Sequence, residues 1–576
     1  MNLLVSAKYL LSINLEMRSN SKIFLFVICL SVCINIIAQD SSDNRWYPKL
    51  AKNEYLNPVI PGFFPDPSVV KVGDDYYCVN STFEYFPGII ISHSKDLVNW
   101  KQIGHVFNKT EDLDLSSYWD GMGIWAPDIS YYNGEFYVFY CTVQLKKDRS
   151  YNVRGNYMVK SKSIMGPWSK PVQLTDNGND PSHFVDPNGD HYMLYAAGIP
   201  TGNGTKIVKL NKECTKIVEG PFWLETEGRK AAPEGPHLIF KDGYYYLTMA
   251  ASGGLFNGHH MLVARSKNIY GPFINSPYNP SLTQKNQQAI NFHQGHGKIF
   301  KTQNEEWFTM VISQRWLPGI LKDKPATKGV SQLGRETSLI RLEWTNDGWP
   351  KDKTGRQAMD IDIKPNLPEF KQLNKVSDEF DGISIGLPWQ YRRNPVEKDI
   401  SLMENKGFLR MYSGNFDLDT ILGRNVLVQR ERWLKYKASL KMNFNPDTKE
   451  QAGITCYYDT KTFARLGLQK DSAGKLVLIL EEMKFGVPSI NHIVANIKQT
   501  NLYLKVTVDK LQRDFFYSYD NKNWEKAGSI LNASYLSDQG TPNWGFMGMM
   551  VGIYSFNRGT DKRIAADFDW FRITEN

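Results

Sequence analysis

The sequence predicts an all-β protein in which a five-bladed β-propeller is followed by a jelly-roll β-sandwich. Three observations predict it. A signature of a turn followed by an aromatic strand recurs five times in the first part of the chain. Near Pro365 this pattern gives way to short alternating strands that continue to the C-terminus. Strongly periodic helical segments are missing throughout, and 576 residues are too many for one ordinary domain.

The chain opens with a pattern typical of an export signal. Met17 is followed by two positive charges, an apolar run over residues 23–33 and a plausible cleavage site after Ala38. This order predicts a secretory signal peptide within residues 1–38. Residues 1–16 then represent an early choice of start codon.

We expect an exported, periplasmic protein, with secretion or a lipid anchor as the alternatives. A lipid anchor at Cys33 is disfavoured because Val32 is a poor residue before a lipidated cysteine. The apolar run is too short to span a bilayer, and no later stretch is longer, so we expect no membrane span. Residues 39–56 are interpreted as a lead-in to the first domain.

Five repeats define the first domain, which we place at residues 57–362. In each repeat a turn rich in Gly, Asn or Asp precedes an alternating aromatic and β-branched run, which is a hairpin signal. The repeats read VGDDYYCVNS, YNGEFYVFYC, PNGDHYMLYA, KDGYYYLTMA and TQNEEWFTMV. Four strands fit in each repeat, so the pattern predicts five four-stranded propeller blades.

One polar residue begins the strand before each of these turns. These residues are Asp66, Asp128, Asp180, Glu234 and His296. Because the first strand of every blade lines the central channel, we expect the five side chains to converge at one end of it. The alternative is that they are turn caps, which is how we interpret Asp186 and Asp190.

Four acids around one funnel suggest either a metal cage or acid–base chemistry. A metal cage usually draws several oxygen ligands from one loop, whereas these acids come from separate blades. Hydrolysis of a glycosidic bond needs two carboxyls on opposite sides of the sugar, one acting as acid and one as base. A third carboxylate raises the pKa of the acid by like-charge repulsion. Asp66, Asp180 and Glu234 can supply this set.

The motifs around these residues resemble glycoside hydrolase family 43, the group of β-xylosidases and α-L-arabinofuranosidases. The segment that begins NPVIPGFFPDPSVVKVGDDYYCVNS is similar to the N-terminal signature of that family. GNDPSHFVD, PEGPHL, QGHGKIF and LGRETSL match its later motifs in order. The resemblance covers about residues 57–349.

The resemblance implies a role for each matching residue. It makes Asp66 the general base, Glu234 the general acid and Asp180 the residue that orients the acid and modulates its pKa. It implies substrate contacts for the remaining matches, which are Arg335, Trp125, Phe83, Phe86 and His296. In some members of the family, the histidine that matches His296 helps to hold a metal or a water. Many xylosidase-like members lack an acid at the position of Asp128, so its role stays open.

The activity implied by the resemblance is inverting exo-hydrolysis without a required cofactor. The expected products are terminal α-L-arabinofuranosyl or β-D-xylosyl units from plant hemicellulose oligosaccharides such as arabinoxylan or xyloglucan fragments. Two alternatives are a β-xylosidase as the main activity and, in a different class, a non-catalytic carbohydrate-binding propeller. The oligomeric state is left open.

After a linker at residues 363–374, residues 375–576 form the second predicted domain. Its short strands without helices suggest a jelly-roll sandwich, and it resembles the concanavalin-like C-terminal domain often joined to this family. In such relatives the sandwich packs on the propeller and one loop helps to close the pocket. Glu379, Asp381 and Asp567 are candidate ligands for a structural calcium ion, and the alternative is that they are surface acids.

Composition excludes several classes of protein. A hydrophobic content of 41% and a charged content of 22% are those of a globular chain. A net charge of +8 without a Lys/Arg stripe is too dilute for nucleic-acid binding. Cysteines at CxxC spacing are missing, which argues against a zinc or redox site. The cysteines after the signal are expected to be buried free thiols: Cys78, Cys141, Cys214 and Cys456.

Overall fold

A computed structural model describes most of the chain. The described residues are 46–146, 151–197, 204–226, 233–251, 258–284, 289–317, 329–353, 360–371, 374–543, 545–560 and 562–576. The predicted signal peptide lies outside them. The chain divides into two compact units, residues 1–52 and 53–576, and every strand named below belongs to the second.

The described residues are almost entirely β-structure, as predicted. The helices among them are short 3₁₀ turns at Thr110–Asp112 and Glu397–Asp399. In the part of the chain that the structure describes, no helix combines the length and the apolar character needed to cross a bilayer.

Five four-stranded antiparallel sheets form the blades of a propeller, which confirms the predicted fold class. Blade 1 contains β2 (Ser68–Val72), β3 (Asp75–Asn80), β5 (Gly88–Ser94) and β6 (Lys101–Phe107). Blade 2 contains β7 (Gly123–Tyr132), β8 (Glu135–Leu145), β9 (Tyr151–Ser161) and β10 (Val172–Thr175). Blade 3 contains β11 (Asn179–Val185), β12 (His191–Ala197), β13 (Gly204–Leu210) and β14 (Ile217–Leu224).

The remaining two blades follow the same order. Blade 4 contains β15 (Glu234–Lys241), β16 (Tyr244–Ala251), β17 (His260–Ser266) and β18 (Ile274–Asn275). Blade 5 contains β19 (Asn291–Lys301), β20 (Trp307–Arg315), β21 (Glu336–Trp344) and β22 (Pro350–Asp352). The first strand of each blade contacts the first strand of the next, and β19 contacts β2, so the five strands close a ring around the channel.

Side chains of the turn residues explain why the repeats end where they do. In blade 3, Asp186 Oδ1 accepts hydrogen bonds from the backbone N–H groups of Asn188 and Asp190, both at 2.9 Å. Gly189 completes the turn with a φ of 84°, which a residue without a Cβ adopts at little cost. Asp186 is therefore a turn residue, as the sequence predicted.

The two ends of the propeller chain meet beside blade 5. β1 (Glu54–Leu56) pairs with β23 (Ile361–Ile363). The N–H of Asn57 bonds to the carbonyl of Asp360 at 2.7 Å, and the N–H of Phe64 bonds to the carbonyl of Arg335 at 3.0 Å. The segment that leads to Asp66 is thereby fixed against the segment that carries Arg335.

Two large antiparallel sheets form the second domain. The eight-stranded sheet contains, in spatial order, β32 (Val487–Val494), β31 (Leu476–Lys484), β30 (Thr462–Lys470), β29 (Gln451–Asp459), β36 (Met550–Phe556), β27 (Val426–Arg430), β24 (Gln390–Arg392) and β4 (Tyr85–Phe86). The seven-stranded sheet contains β25 (Ile400–Ser401), β26 (Leu409–Tyr412), β37 (Ala565–Glu575), β28 (Lys435–Phe444), β33 (Asn501–Asp509), β34 (Gln512–Ser518) and β35 (Glu525–Ile530). One continuous apolar core includes residues of both sheets, as in a β-sandwich.

The edge strand β4 comes from the propeller. It leaves the loop between β3 and β5 and pairs with β24, with Phe86 opposite Tyr391 and Tyr85 opposite Arg392. Further contacts join the domains: Arg393 Nη2 lies 3.1 Å from Asp120 Oδ1. The two domains therefore share a sheet as well as an interface.

All four cysteines that follow the predicted signal are buried and free, as expected from their spacing.

Candidate active site

One residue with a left-handed backbone conformation occurs at the equivalent position in the first segment of every blade. The φ values are 52° at Asp66, 44° at Ala126, 51° at Asp180, 55° at Gly235 and 55° at His296. Such values disfavour residues other than Gly, so their recurrence in all five blades marks a shared backbone bend. We call these five residues, together with Glu234 just before Gly235, the upper layer.

The prediction that Asp128 is equivalent to Asp66 is wrong. Asp128 lies two residues beyond Ala126 and belongs to a second ring, the lower layer. Its members each follow an upper-layer residue by two positions: Ser68, Asp128, Ser182, His237 and Lys298. Aligning the blades on the Pro or Gly between the two layers would have revealed this register from the sequence.

Asp66 is held at the floor of the funnel by groups from three neighbouring segments. Its side chain is only 5% exposed. Oδ2 accepts a hydrogen bond from Ser81 Oγ at 2.5 Å, and Oδ1 lies 3.3 Å from Arg335 Nη1 and 3.7 Å from His296 Nδ1. Ser81 itself accepts the N–H of Ala126 at 2.7 Å. Asp66 therefore lies beside a guanidinium, and its orientation is fixed through Ser81, which is itself held by the backbone of blade 2.

Asp180 bridges blades 3 and 4. Its Oδ2 accepts the backbone N–H of Gly235 at 2.9 Å, which sets the position of the adjoining Glu234. Burial raises the pKa of Asp180; His296 opposes this shift, and the negative charge of Asp66 adds to it. Asp180 is thus a second acid that contacts the segment carrying Glu234.

Glu234 has the chemistry of a proton donor near neutral pH. Burial raises the pKa of its carboxyl to about 7, and the charge of Asp180 contributes the next largest effect. The side chain is 34% exposed, so it is open to the funnel. The structure therefore brings together an acid whose pKa is raised toward neutrality and, in Asp66, a carboxyl group that is paired with a guanidinium.

Two histidines pack against this acid. His259 Nε2 lies 3.8 Å from Glu234 Oε1, and burial holds the pKa of His259 well below its ordinary value, so its ring is neutral. The ring of His296 lies so close to Gly235 that a Cβ there would come within 2.7 Å of it. Glycine after Glu234 is therefore required by this contact. His259 was not predicted, because it lies just before β17 and outside the repeated motif.

One wall of the funnel is built from both domains. The ring of Phe546, from the sandwich, lies 3.9 Å from the guanidinium carbon of Arg335 and 5.9 Å, edge to face, from Trp125. Gly334 makes this approach possible, since a Cβ there would lie 2.1 Å from the carbonyl oxygen of Met547. Phe546 was not predicted, since a lone aromatic in a strand-rich domain carries no sequence signal for a contact so distant along the chain.

The two phenylalanines predicted to line the pocket are buried in apolar cores. Phe83 is 1% exposed and supports Trp125 from behind, with ring centroids 5.7 Å apart. Phe86 is 4% exposed and packs with Phe107 and Ile124 between blades 1 and 2. The prediction that they line the pocket is wrong, because neither has surface left for a sugar; Phe83 acts through Trp125.

The lower layer contains a neutralised acid. Asp128 Oδ1 accepts hydrogen bonds from Ser68 Oγ at 2.6 Å and Lys298 Nζ at 2.7 Å, and Oδ2 accepts the N–H of His183 at 2.8 Å. Burial acts to raise the pKa of Asp128, but Lys298 and His237 outweigh it and the pKa lies below its ordinary value. Asp128 is therefore a structural ion-pair partner.

The predicted calcium ligands do not form a site. Glu379 makes a two-point ion pair with Arg572 at 2.8 and 2.7 Å, and Asp567 makes one with Arg410 at 2.7 and 2.9 Å. Among the described residues, Glu379, Asp381 and Asp567 are not grouped closely enough to share an ion. The prediction of this calcium site is wrong, because arginines already neutralise two of the three acids.

Comparison with known proteins yields matches over both domains. Residues 55–350 match the family model "Glycosyl hydrolases family 43", and residues 377–574 match "Beta xylosidase C-terminal Concanavalin A-like domain". A "Xylan 1,3-beta-xylosidase" from Vibrio sp. is 32% identical over 90% of this chain and 99% of its own length.

Two further relatives extend the comparison. "Non-reducing end alpha-L-arabinofuranosidase BoGH43B" of Bacteroides ovatus is 31% identical over 91% of this chain and 95% of its own. The crystal structure of "the GH43 BlXynB protein from Bacillus licheniformis" superposes with a TM-score of 0.83 and 42% identity, covering 91% of this chain and 100% of that one.

Proposed function

This chain belongs to glycosyl hydrolase family 43 and is a glycoside hydrolase, and we propose that it is an inverting exo-glycosidase that removes terminal pentosyl units from hemicellulose oligosaccharides. The observation that carries the proposal is the pairing of two unlike carboxyls. Glu234 has a pKa raised to about 7, whereas Asp66 lies beside Arg335 and Ser81.

The proposed reaction uses these two carboxyls in a single displacement. Asp66 removes a proton from a water molecule that attacks the anomeric carbon. Glu234 gives its proton to the departing glycosidic oxygen, so the bond breaks without expelling an alkoxide. The contacts of Asp66 with Ser81 and Arg335 hold it as a base and support a role through water rather than direct attack on the sugar.

Asp180 is assigned a positioning role. Through the N–H of Gly235 it sets the backbone that carries Glu234, and its charge helps to keep Glu234 protonated. Arg335 and Trp125 are assigned to substrate contacts, with His296 beside the base. These assignments follow the contacts of each side chain and the match of each motif to the family.

The proposed substrates are β-D-xylosyl and α-L-arabinofuranosyl units at non-reducing ends. Both names occur among the relatives, and two further relatives, from Humicola insolens and Butyrivibrio fibrisolvens, are named xylosidase/arabinosidase. The wall that Phe546 and Trp125 build from two domains supports an end-on pocket rather than an open cleft. We also infer export to the periplasm from the signal pattern that ends at Ala38.

Hydrolysis of two aryl glycosides tests the proposal. The protein should release 4-nitrophenol from the β-D-xylopyranoside, the α-L-arabinofuranoside or both, and NMR during the reaction should show the inverted anomer first. Asp66→Asn should abolish both activities. First release of the retained anomer would make Asp66 a nucleophile. Binding of xylo-oligosaccharides without hydrolysis would favour a carbohydrate-binding propeller instead.

A further inference from the structure

A cluster of three metal-ligating side chains lies within blade 3 and outside the funnel. His183 is on β11, His191 on β12 and Cys214 in the turn between β13 and β14. His183 Nε2 lies 3.0 Å from His191 Nδ1, which lies 3.2 Å from Cys214 Sγ; the third side of the triangle is 3.8 Å. All three residues are buried. We call them the blade-3 triad.

Hydrogen bonding does not account for all of these contacts. The Nδ1 of a neutral imidazole either donates one proton or accepts with one in-plane lone pair, so it serves one partner well. Here His191 Nδ1 faces both His183 Nε2 and Cys214 Sγ within 3.2 Å. A cation at the centre of the triangle would engage the lone pairs of all three atoms at once.

The dimensions of the triangle fit a zinc-sized ion. With Zn–N distances of about 2.0–2.1 Å and a Zn–S distance of about 2.3 Å, tetrahedral ligand atoms lie roughly 3.3–3.6 Å apart. The three observed separations, 3.0, 3.2 and 3.8 Å, lie on either side of this range.

A fourth residue orients the first histidine. His183 Nδ1 lies 2.6 Å from Ser130 Oγ on β7 of the neighbouring blade. If Nε2 binds a metal, Nδ1 carries the ring proton and donates it to this hydroxyl, which takes the place of the carboxylate, carbonyl or water that usually accepts this proton. The stacking of His183 on Phe139, with ring centroids 4.7 Å apart, fixes the plane of the ring.

We propose that the blade-3 triad binds one borderline or soft metal ion, Zn²⁺ or Cu⁺, as a structural site distinct from the catalytic funnel. One thiolate and two imidazoles select such ions over calcium or magnesium, which prefer oxygen ligands. Binding deprotonates the Cys214 thiol and releases one proton per metal. The site is missed by a search for CxxC, because its ligands come from three separate segments.

The ion would tie the outer turn of blade 3 to its two inner strands. Cys214 belongs to the β13–β14 turn, whereas His183 is on the channel strand and gives its N–H to Asp128. An ion bound only by the folded protein stabilises it in proportion to the logarithm of the free ion concentration over Kd. The expected effect is therefore a metal-dependent rise in Tm.

Metal binding by the full chain tests the proposal. Purified protein without an affinity tag is stripped with a chelator and titrated separately with Zn²⁺, with Co²⁺ and, under anaerobic conditions, with Cu⁺. We expect about one equivalent of Zn²⁺ or Cu⁺ to bind, Co²⁺ to show a near-ultraviolet thiolate charge-transfer band, and Tm to rise on adding the bound metal. The titration, with Zn²⁺ or with Cu⁺, in which one equivalent binds and Tm rises identifies the ion.

Two variants give the test its specificity. Cys214→Ser should lose the Co²⁺ band, the bound equivalent and the metal-dependent rise in Tm. Cys141→Ser, which alters another buried free thiol, should keep all three. If Cys214→Ser does not fold, His191→Gln replaces it with the same expectation. The proposal is overturned if neither ion binds at one equivalent, or if binding and the Co²⁺ band survive in the triad variant.

Discussion

The upper and lower layers of the channel lie two residues apart along the first segment of each blade, and their acids have opposite surroundings. In the lower layer, Asp128 is 1% exposed and has Lys298, Ser68 and the His183 N–H as partners. In the upper layer, Arg335 forms an ion pair with Asp66, and the pKa values of Asp180 and Glu234 are raised.

This difference indicates that the lower layer contributes to the stability of the fold and the upper layer to the reaction. A buried acid that is fully paired stabilises the fold relative to its broken pair, but it has no proton to exchange near neutral pH. Acids crowded together with one cation cost stability and keep a titratable proton in the working range. Substitutions in the upper layer should therefore change rates, and substitutions in the lower layer should change folding.

Glu234→Gln should give the largest effect, a loss of about 10²–10⁴-fold in kcat on xylo-oligosaccharides, because the leaving oxygen then receives no proton. The loss should be much smaller on 4-nitrophenyl glycosides, whose leaving group scarcely needs protonation. Steady-state kinetics on both substrates measure it, with the exposed Glu219→Gln as the control. Equal losses on both substrates would contradict Glu234 as the general acid.

Asp128→Asn should leave Lys298 buried without its charged partner and lower the free energy of unfolding by about 3–5 kcal/mol. Urea unfolding followed by fluorescence measures this change. The control is Asp190→Asn, which removes a partly exposed ion pair with Lys209 and should cost about 0–1 kcal/mol. A stable Asp128→Asn protein with a large decrease in kcat would place Asp128 in the catalytic machinery. It would contradict the assignment of the lower layer to stability alone.

Phe546→Ala should raise KM and lower kcat/KM by about 10–100-fold, since an aromatic wall is worth roughly 1–3 kcal/mol in binding. It should also admit water to the funnel and lower the pKa of Glu234. Steady-state kinetics across pH measure both effects. Phe416→Ala, at an exposed position on the sandwich, should change neither. Unchanged kinetics in Phe546→Ala would mean that the sandwich does not complete the site.

Asp180→Asn should shift the alkaline limb of the pH–rate profile to lower pH by about one unit, in addition to any loss in rate. The charge of Asp180 raises the pKa of Glu234; without it the acid loses its proton at lower pH, so activity fades sooner on the alkaline side. Asp186→Asn, at a turn in the same segment, should leave the profile in place. An unshifted limb in Asp180→Asn would reduce Asp180 to a turn residue.

Local patterns in the sequence predicted the blades and most of the upper layer. Five hairpin signals spaced along the chain predict five blades, since each blade is built from neighbouring residues. Asp66, Asp180 and His296 follow because they sit at the same backbone bend. Asp128 was misplaced because it was matched by residue type rather than by its distance from the proline.

The missed features depend on contacts between distant segments. Phe546 reaches Arg335 and Trp125 only after the sandwich packs on the propeller, and Phe86 is buried because blades 1 and 2 pack around it. Two of the three acids predicted to bind calcium, Asp567 and Glu379, are neutralised by Arg410 and Arg572, whose positions depend on strand pairing and on the packing of the chain. Such partners carry no local signal.

The strand shared by the two domains determines how this protein can be divided. Because β4 is an edge of the sandwich sheet while its chain belongs to blade 1, a cut in the linker between the domains does not separate two finished modules. A sandwich produced alone would present β24 with an unpaired edge, and a propeller produced alone would carry Tyr85 in a loop with no sheet to join. Both exposed surfaces invite aggregation. We therefore expect a working chimaera to require that the two domains be exchanged together.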